Sequence, residues 1–174
     1  RANARFDMVK LDWQNYEHIR VLPVDEFKSQ ALGQLQAAGI DTAGRDEAYI
    51  EATVATCTDK IKNLNDFAAY ISFYFQDEVS FDELAAEQAL TAENKPHLAA
   101  LREAYAVLAA FDTDSLQEAL KATAVAREVK NKVLVMPARV ACTGSKVGPS
   151  LYHLFVVLGQ AEVLKRFDAA LARM

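Results

Sequence analysis

The stretch CTGSKVGPSLYHLFVVLG, residues 142–159, decides whether this chain carries the phosphate-gripping loop of an α/β protein or a corner between two helices. A nucleotide-binding loop needs GxxxxGK[ST] between a strand and a helix, because its amide groups cradle phosphates while the lysine reaches them. Here Gly144 and Gly148 are spaced GxxxG, Lys146 precedes the second glycine, and the residues upstream lack a strand pattern. The phosphate-loop reading fails. Pro149 suits the first turn of a helix, Leu151, Leu154, Phe155 and Leu158 fall on one helical stripe, and Gly159 ends the run. The stretch is therefore a helix–helix corner with free N–H groups. Flanked by Lys121, Arg139 and Lys146, it can offer amide donors and cations to nucleic acid; on the residues alone, a plain interhelical turn stays the alternative.

Outward from this corner the periodicity is helical nearly everywhere. In VDEFKSQALGQLQAAG (24–39), Phe27, Ala31, Leu35 and Ala38 recur at helical spacing and Gly39 stops the run. RDEAYIEATVATC (45–57) carries acids in its first turn, where the helix dipole favours them. NLNDFAAYISFYF (63–75) predicts a helix capped by Asn63, with Leu64, Phe67, Ala68 and Ile71 on one face; its aromatics serve either as core or as a base-stacking platform, and core is the expectation. From Asp77 to Glu93 six carboxylates and no Lys or Arg blur the period, which predicts a solvated connector. NKPHLAALREAYAVLAAF (94–111) and DSLQEALKATAVAREV (114–129) then read as an antiparallel helical pair, the second capped by Asp114 with Gln117 at capping-box spacing. The expected fold is all-α, two small helical-bundle subdomains over residues 1–78 and 79–174.

The net charge of −5 argues against a general nucleic-acid coat protein, but it is unevenly spread. Residues 1–120 carry 10 Lys/Arg against 21 Asp/Glu, and residues 121–174 carry 9 against 3, so the last third is basic. No stretch approaches the roughly 20 apolar residues of a membrane span, which predicts a soluble, cytoplasmic chain with no membrane partner. Cys57 and Cys142 form no CxxC, so reduced thiols are expected rather than a zinc site or a disulfide. His18, His97 and His153 are scattered, and no carboxylate set converges with them, so neither a metal site nor a catalytic residue is predicted. The chain starts at Arg1 without a signal peptide, which predicts a segment of a longer protein.

PARVACTGSKVGPSLYHLFVVLGQAEVLKRFDAAL (137–171) resembles the end of bacterial-type glutamyl-tRNA synthetases, with Arg139, Thr143, Gly144, Pro149, Leu151, Leu158, Gly159, Leu164, Arg166, Ala170 and Leu171 in register. FDMVKLDWQNYEHIR (6–20) is similar to the segment that leads out of the stem-contact region of the same family, matched at Phe6, Asp7, Lys10, Leu11, Trp13, Asn15, Ile19 and Arg20. His18 stands where that pattern has Tyr. The resemblance implies an anticodon-binding region of the class I, α-helix-cage type, without catalytic residues of its own. It also implies a longer ATP- and Mg-dependent glutamate–tRNA ligase, a monomer, whose catalytic part lies upstream. The implied partner is tRNA(Glu), with tRNA(Gln) a further candidate, and the implied anticodon-binding residues are Lys60, Lys121, Arg139, Lys146, Gly148, Pro149 and Leu151. Gly148 stands where some members have Thr, leaving only backbone donors, and Lys60 stands where some place an Arg that reads the third anticodon base. A lysine lacks the planar fork and discriminates bases less sharply. Without the resemblance, a free-standing helical protein-interaction module is the other reading.

Overall fold

Three aspartates set where helices begin. The Asp46, Asp82 and Asp112 carboxylates accept the N–H of Tyr49 at 2.6 Å, Ala85 at 2.7 Å and Ser115 at 2.8 Å, each satisfying a donor that the first turn leaves unpaired. The computed structural model describes residues 8–57, 60–61 and 63–174; Phe6 and Asp7 of the N-terminal motif lie outside them. Among the described residues there are ten α-helices and no strand, and the chain divides into two compact units between Phe75 and Gln76.

The first unit holds α1 (Met8–Val21), α2 (Val24–Ala37), α3 (Glu47–Ala55) and α4 (Phe67–Ile71). Phe27, Ala31 and Leu35 of α2 are buried, as their spacing predicts, whereas Ala38 lies past the helix end and is exposed. Phe27 meets Phe67 edge to face at 5.9 Å. Asn63 does cap its segment, through the Asn65 N–H at 3.0 Å, but what it starts is a 3₁₀ turn, Leu64–Asp66, ahead of the short α4 and a second 3₁₀ turn, Ser72–Phe75. Phe67, Phe73 and Tyr74 are buried, and the Tyr49 hydroxyl donates to the Tyr74 carbonyl at 2.9 Å, so these rings are core rather than a stacking platform.

The second unit holds α5 (Glu83–Ala89), α6 (Lys95–Ala106), α7 (Thr113–Ala126), α8 (Asn131–Thr143), α9 (Leu151–Leu158) and α10 (Gln160–Arg173). Tyr105 sits at its centre, fully buried, with Phe155 at 5.9 Å and Phe167 at 6.2 Å, and its hydroxyl donates to the Leu116 carbonyl at 3.2 Å. Burial of this phenol, cut off from water, holds its pKa well above the ordinary value.

Two expectations need correction. The acidic stretch after Asp77 is not only a solvated connector: α5 lies inside it, and its Ala85 and Ala89 pack on Val140 of α8 together with Phe81 and Leu90. Only Ala85 and Ala89 of this short helix are buried, whereas Leu84 is exposed, and the surrounding acids mask the buried face in the sequence. The cap of α7 is Asp112 rather than Asp114, because the helix begins at Thr113 and Asp114 already lies in its first turn.

Candidate nucleic-acid interface

The corner is built by the end of α8 and the start of α9. Thr143 closes α8 with its hydroxyl 2.9 Å from both the Arg139 and the Ser145 carbonyls, while also accepting the Ser145 N–H at 3.1 Å. Gly144 follows in the left-handed conformation, φ 72°, as the C-cap. A Cβ here would stand 1.9 Å from the Ser80 carbonyl oxygen, so glycine is required by space as well as by φ. The Gly144 carbonyl accepts the Asp82 N–H at 2.9 Å, and the Lys146 ammonium donates to the Gln88 side-chain oxygen. The acidic segment and α5 therefore brace the corner.

Arg139, one turn before the end of α8, reaches across and donates from Nη1 to the Pro149 carbonyl at 2.6 Å. A Cβ on Gly148 would approach the same nitrogen to 3.3 Å, so the small residue leaves the guanidinium its place. Arg139, Gly148 and Pro149 are thus brought together, and Leu151 starts α9 beside them. Pro149 and Leu151 are buried, so the outward surface of the corner consists of Lys146, Val147 and Ser150, all exposed, with part of the Gly148 backbone. Val147, 71% exposed at the tip, and Ser150 are not picked out by sequence reasoning; an apolar residue between a lysine and a glycine gives no periodic signal. Ser150 makes no side-chain cap for α9, whose first turn is therefore open for another acceptor.

Lys121 is exposed on α7 of the same unit. Lys60 is exposed in the first unit, where its N–H donates to the Cys57 carbonyl at 2.8 Å. Arg166 has a supporting place: 3% exposed, it donates to Glu162 at 2.7 Å, to the Cys142 carbonyl at 2.7 Å and to the Gln76 carbonyl at 2.9 Å. It pins the end of α8 from below the corner.

Residues 24–171 match the family of the anticodon binding domain. The chain belongs to that family. Curated relatives include glutamate–tRNA ligase 2 of Koribacter versatilis, 34% identical over 97% of this chain and 35% of its own length. The glutamate–tRNA ligase of Oleidesulfovibrio alaskensis is 34% identical over 99% of this chain and 37% of its own. A solved glutamate tRNA ligase from Elizabethkingia meningosepticum, in complex with its amino acid, superposes with a TM-score of 0.80 at 22% identity, over 98% of this chain and 33% of that one. That last likeness is one of fold. The anticodon-binding chain spans about a third of the length of these relatives.

Both cysteines are buried thiols, and burial raises their pKa, Cys57 up to about 12, which leaves them without nucleophilic thiolate at neutral pH. Among the described residues no group of three or more His, Cys, Asp or Glu is placed to hold a metal ion, and no helix is long and apolar enough to cross a membrane.

Proposed function

We propose that the chain recognises the anticodon of a tRNA as part of a glutamate–tRNA ligase, its two units serving as the two anticodon-binding subdomains. The observation that carries this reading is the corner itself: a guanidinium fixed to the Pro149 carbonyl, a glycine that leaves it room, and a lysine beside them, in a family of anticodon binding domains. Unstacked bases are read by backbone groups, planar cations and apolar faces, all available here. Arg139, Lys146, Gly148, Pro149 and Leu151 build the reading corner, with Pro149 and Leu151 shaping it from within and Lys146, Val147 and Ser150 facing outward; Lys121 supplies a further cation, and Lys60 does so in the first unit. The tRNA is the one for glutamate, in line with the names of the relatives. ATP and Mg, and the attachment of glutamate, belong to the remainder of the longer enzyme, which works as a cytoplasmic monomer.

The test is binding of the chain to a tRNA anticodon arm across a salt series. Affinity should fall steeply with salt, because the basic third displaces condensed counterions. Arg139→Glu with Lys121→Glu should weaken binding far more than Lys95→Glu; equal effects put the RNA face elsewhere, and no binding at all overturns the reading.

A further inference from the structure

The first unit contains a cleft of about 440 Å³ between α1, α2 and the first 3₁₀ turn. Of the fourteen Asn and Gln residues in the chain, five line it: Asn15, Gln30, Gln34, Asn63 and Asn65. His18 joins them, and Ile19, Leu22 and Leu64 give it apolar surface. Among the described residues, no Asp, Glu, Lys or Arg lines it. In a chain with one residue in four charged, an uncharged cleft with this much hydrogen-bonding capacity is a chemical statement.

The local folding explains how the amides converge. Asn15 and His18 are spaced three apart on α1 and so share one face, as do Gln30 and Gln34, four apart on α2; Leu22 lies just past the end of α1. The cap at Asn63 turns the chain so that Asn63 and Asn65 close the third side. Some of the hydrogen-bonding capacity is spent inside the protein: the Asn63 oxygen takes the Asn65 N–H at 3.0 Å, and the Gln30 amide donates to Glu26 at 3.3 Å. Asn15, Gln34 and the Asn65 side chain make no such bond among the described residues, and each presents a donor beside an acceptor.

We infer that this cleft takes one unstacked RNA base. The inference rests on the reading of the chain as an anticodon-binding region. A phosphate would call for cations, and none is among the described lining residues; a nucleobase edge is neutral and alternates donors with acceptors, the complement of the five carboxamides that do line it. Leu22 and Leu64 can cover the faces of the ring, and the volume suits a small planar group rather than a duplex. Lys60, exposed and three residues before Asn63, lies at most about 11 Å away along the chain, within reach of the phosphate of the same nucleotide.

The experiment uses the 174-residue chain and an anticodon stem–loop RNA, intact or with a single abasic site at each loop position in turn, against wild type, Gln34→Leu, Asn15→Leu and Gln34→Glu. In wild type one abasic position should weaken binding about five- to a hundredfold, the range expected for one bound base. In Gln34→Leu and Asn15→Leu the intact RNA should bind weakly and that same abasic site should cost little more, while sites elsewhere keep their effect. Gln34→Glu, which keeps the shape and adds a charge, should show the same loss of coupling with an unchanged circular dichroism spectrum. If intact RNA binds but no loop position loses its effect in any variant, the base site is overturned and the anticodon reading stands. If no RNA binds to wild type, both fall together.

Discussion

The Arg139 guanidinium donates to the Pro149 carbonyl at 2.6 Å, a bond from the last turn of one helix to the residue that precedes the cap of the next. It converts a surface turn into a defined shape. Arg139→Ala should lower unfolding free energy by about 1–3 kcal/mol, the range for a hydrogen bond to a charged group, and weaken RNA binding by tenfold or more. Urea unfolding and anticodon-arm titration check the two effects separately. Arg139→Lys should recover part of the affinity, through charge, but little of the stability, because an ammonium lacks the fixed fork.

Gly144 and Gly39 offer a matched pair, both at φ 72°, with nothing within 4 Å of a Cβ at Gly39 but the Ser80 carbonyl at 1.9 Å from one at Gly144. Gly39→Ala should cost about 1 kcal/mol for the backbone conformation alone. Gly144→Ala should cost about 3 kcal/mol or more, since backbone must shift as well. Thermal melts of the two variants test this; equal shifts in Tm would mean that the Ser80 segment yields freely.

Removing the Arg166 side chain leaves Glu162 with only the longer Lys165 contact at 3.3 Å and takes away the guanidinium that serves the Cys142 and Gln76 carbonyls. Arg166→Met should destabilise by about 1–3 kcal/mol, as for buried acceptors left without their donor. Arg166→Lys should recover little, because a single ammonium cannot serve all three acceptors. Denaturant unfolding of both variants reads the difference.

Stability should fall in acid through identifiable carboxylates. The Arg102 guanidinium holds the Asp168 carboxyl below its ordinary range, the Ser115 N–H does the same for Asp112, and the Lys28 ammonium for Glu47. A depressed pKa in the folded state gives stability that is full above the unfolded value and is lost as pH falls through the folded one. Melting temperature should therefore drop below about pH 4, near the unperturbed carboxylate values, and Asp168→Asn should flatten that drop while lowering stability at neutral pH. These pairs are largely exposed, so each effect is small and weakens with salt.

A flexible ammonium at Lys60 should separate glutamate tRNA from glutamine tRNA only modestly, and Lys60→Arg should sharpen the preference by up to about tenfold to a hundredfold, the worth of a good bidentate contact. Charging of both tRNAs by the full ligase, wild type and variant, measures it. No change on substitution, with glutamine tRNA already rejected by several orders of magnitude, would make Lys60 a solvated charge.

The corner was legible because Gly159 marks a stop that the structure keeps and the Leu151–Leu158 stripe is buried as spaced; Pro149, expected in the first turn, instead lies two residues before α9, whose cap position Ser150 takes. Helix α5 was hidden because its cap, Asp82, is one acid among six in that stretch and only Ala85 and Ala89 of its own residues face inward. The Arg139–Pro149 bond could be suspected only as proximity, since a ten-residue separation carries no period. The amide cleft was invisible for a further reason: its five carboxamides come from three segments, and none is unusual where it stands.

The acidic stretch from Gln76 to Asp82 looks, by composition, like a linker that would accept insertions. It is held at three points within seven residues: the Gln76 carbonyl by Arg166, the Asp77 carbonyl by Lys165 at 3.3 Å, and the Asp82 N–H on the Gly144 carbonyl. Its length is therefore fixed like that of a ruler. Adding or deleting one residue between Asp77 and Phe81 cannot keep one end in register with α10 and the other with the end of α8, whereas substitutions at exposed Glu78 leave the spacing untouched. Among homologous chains this segment should vary freely in identity and hardly at all in length.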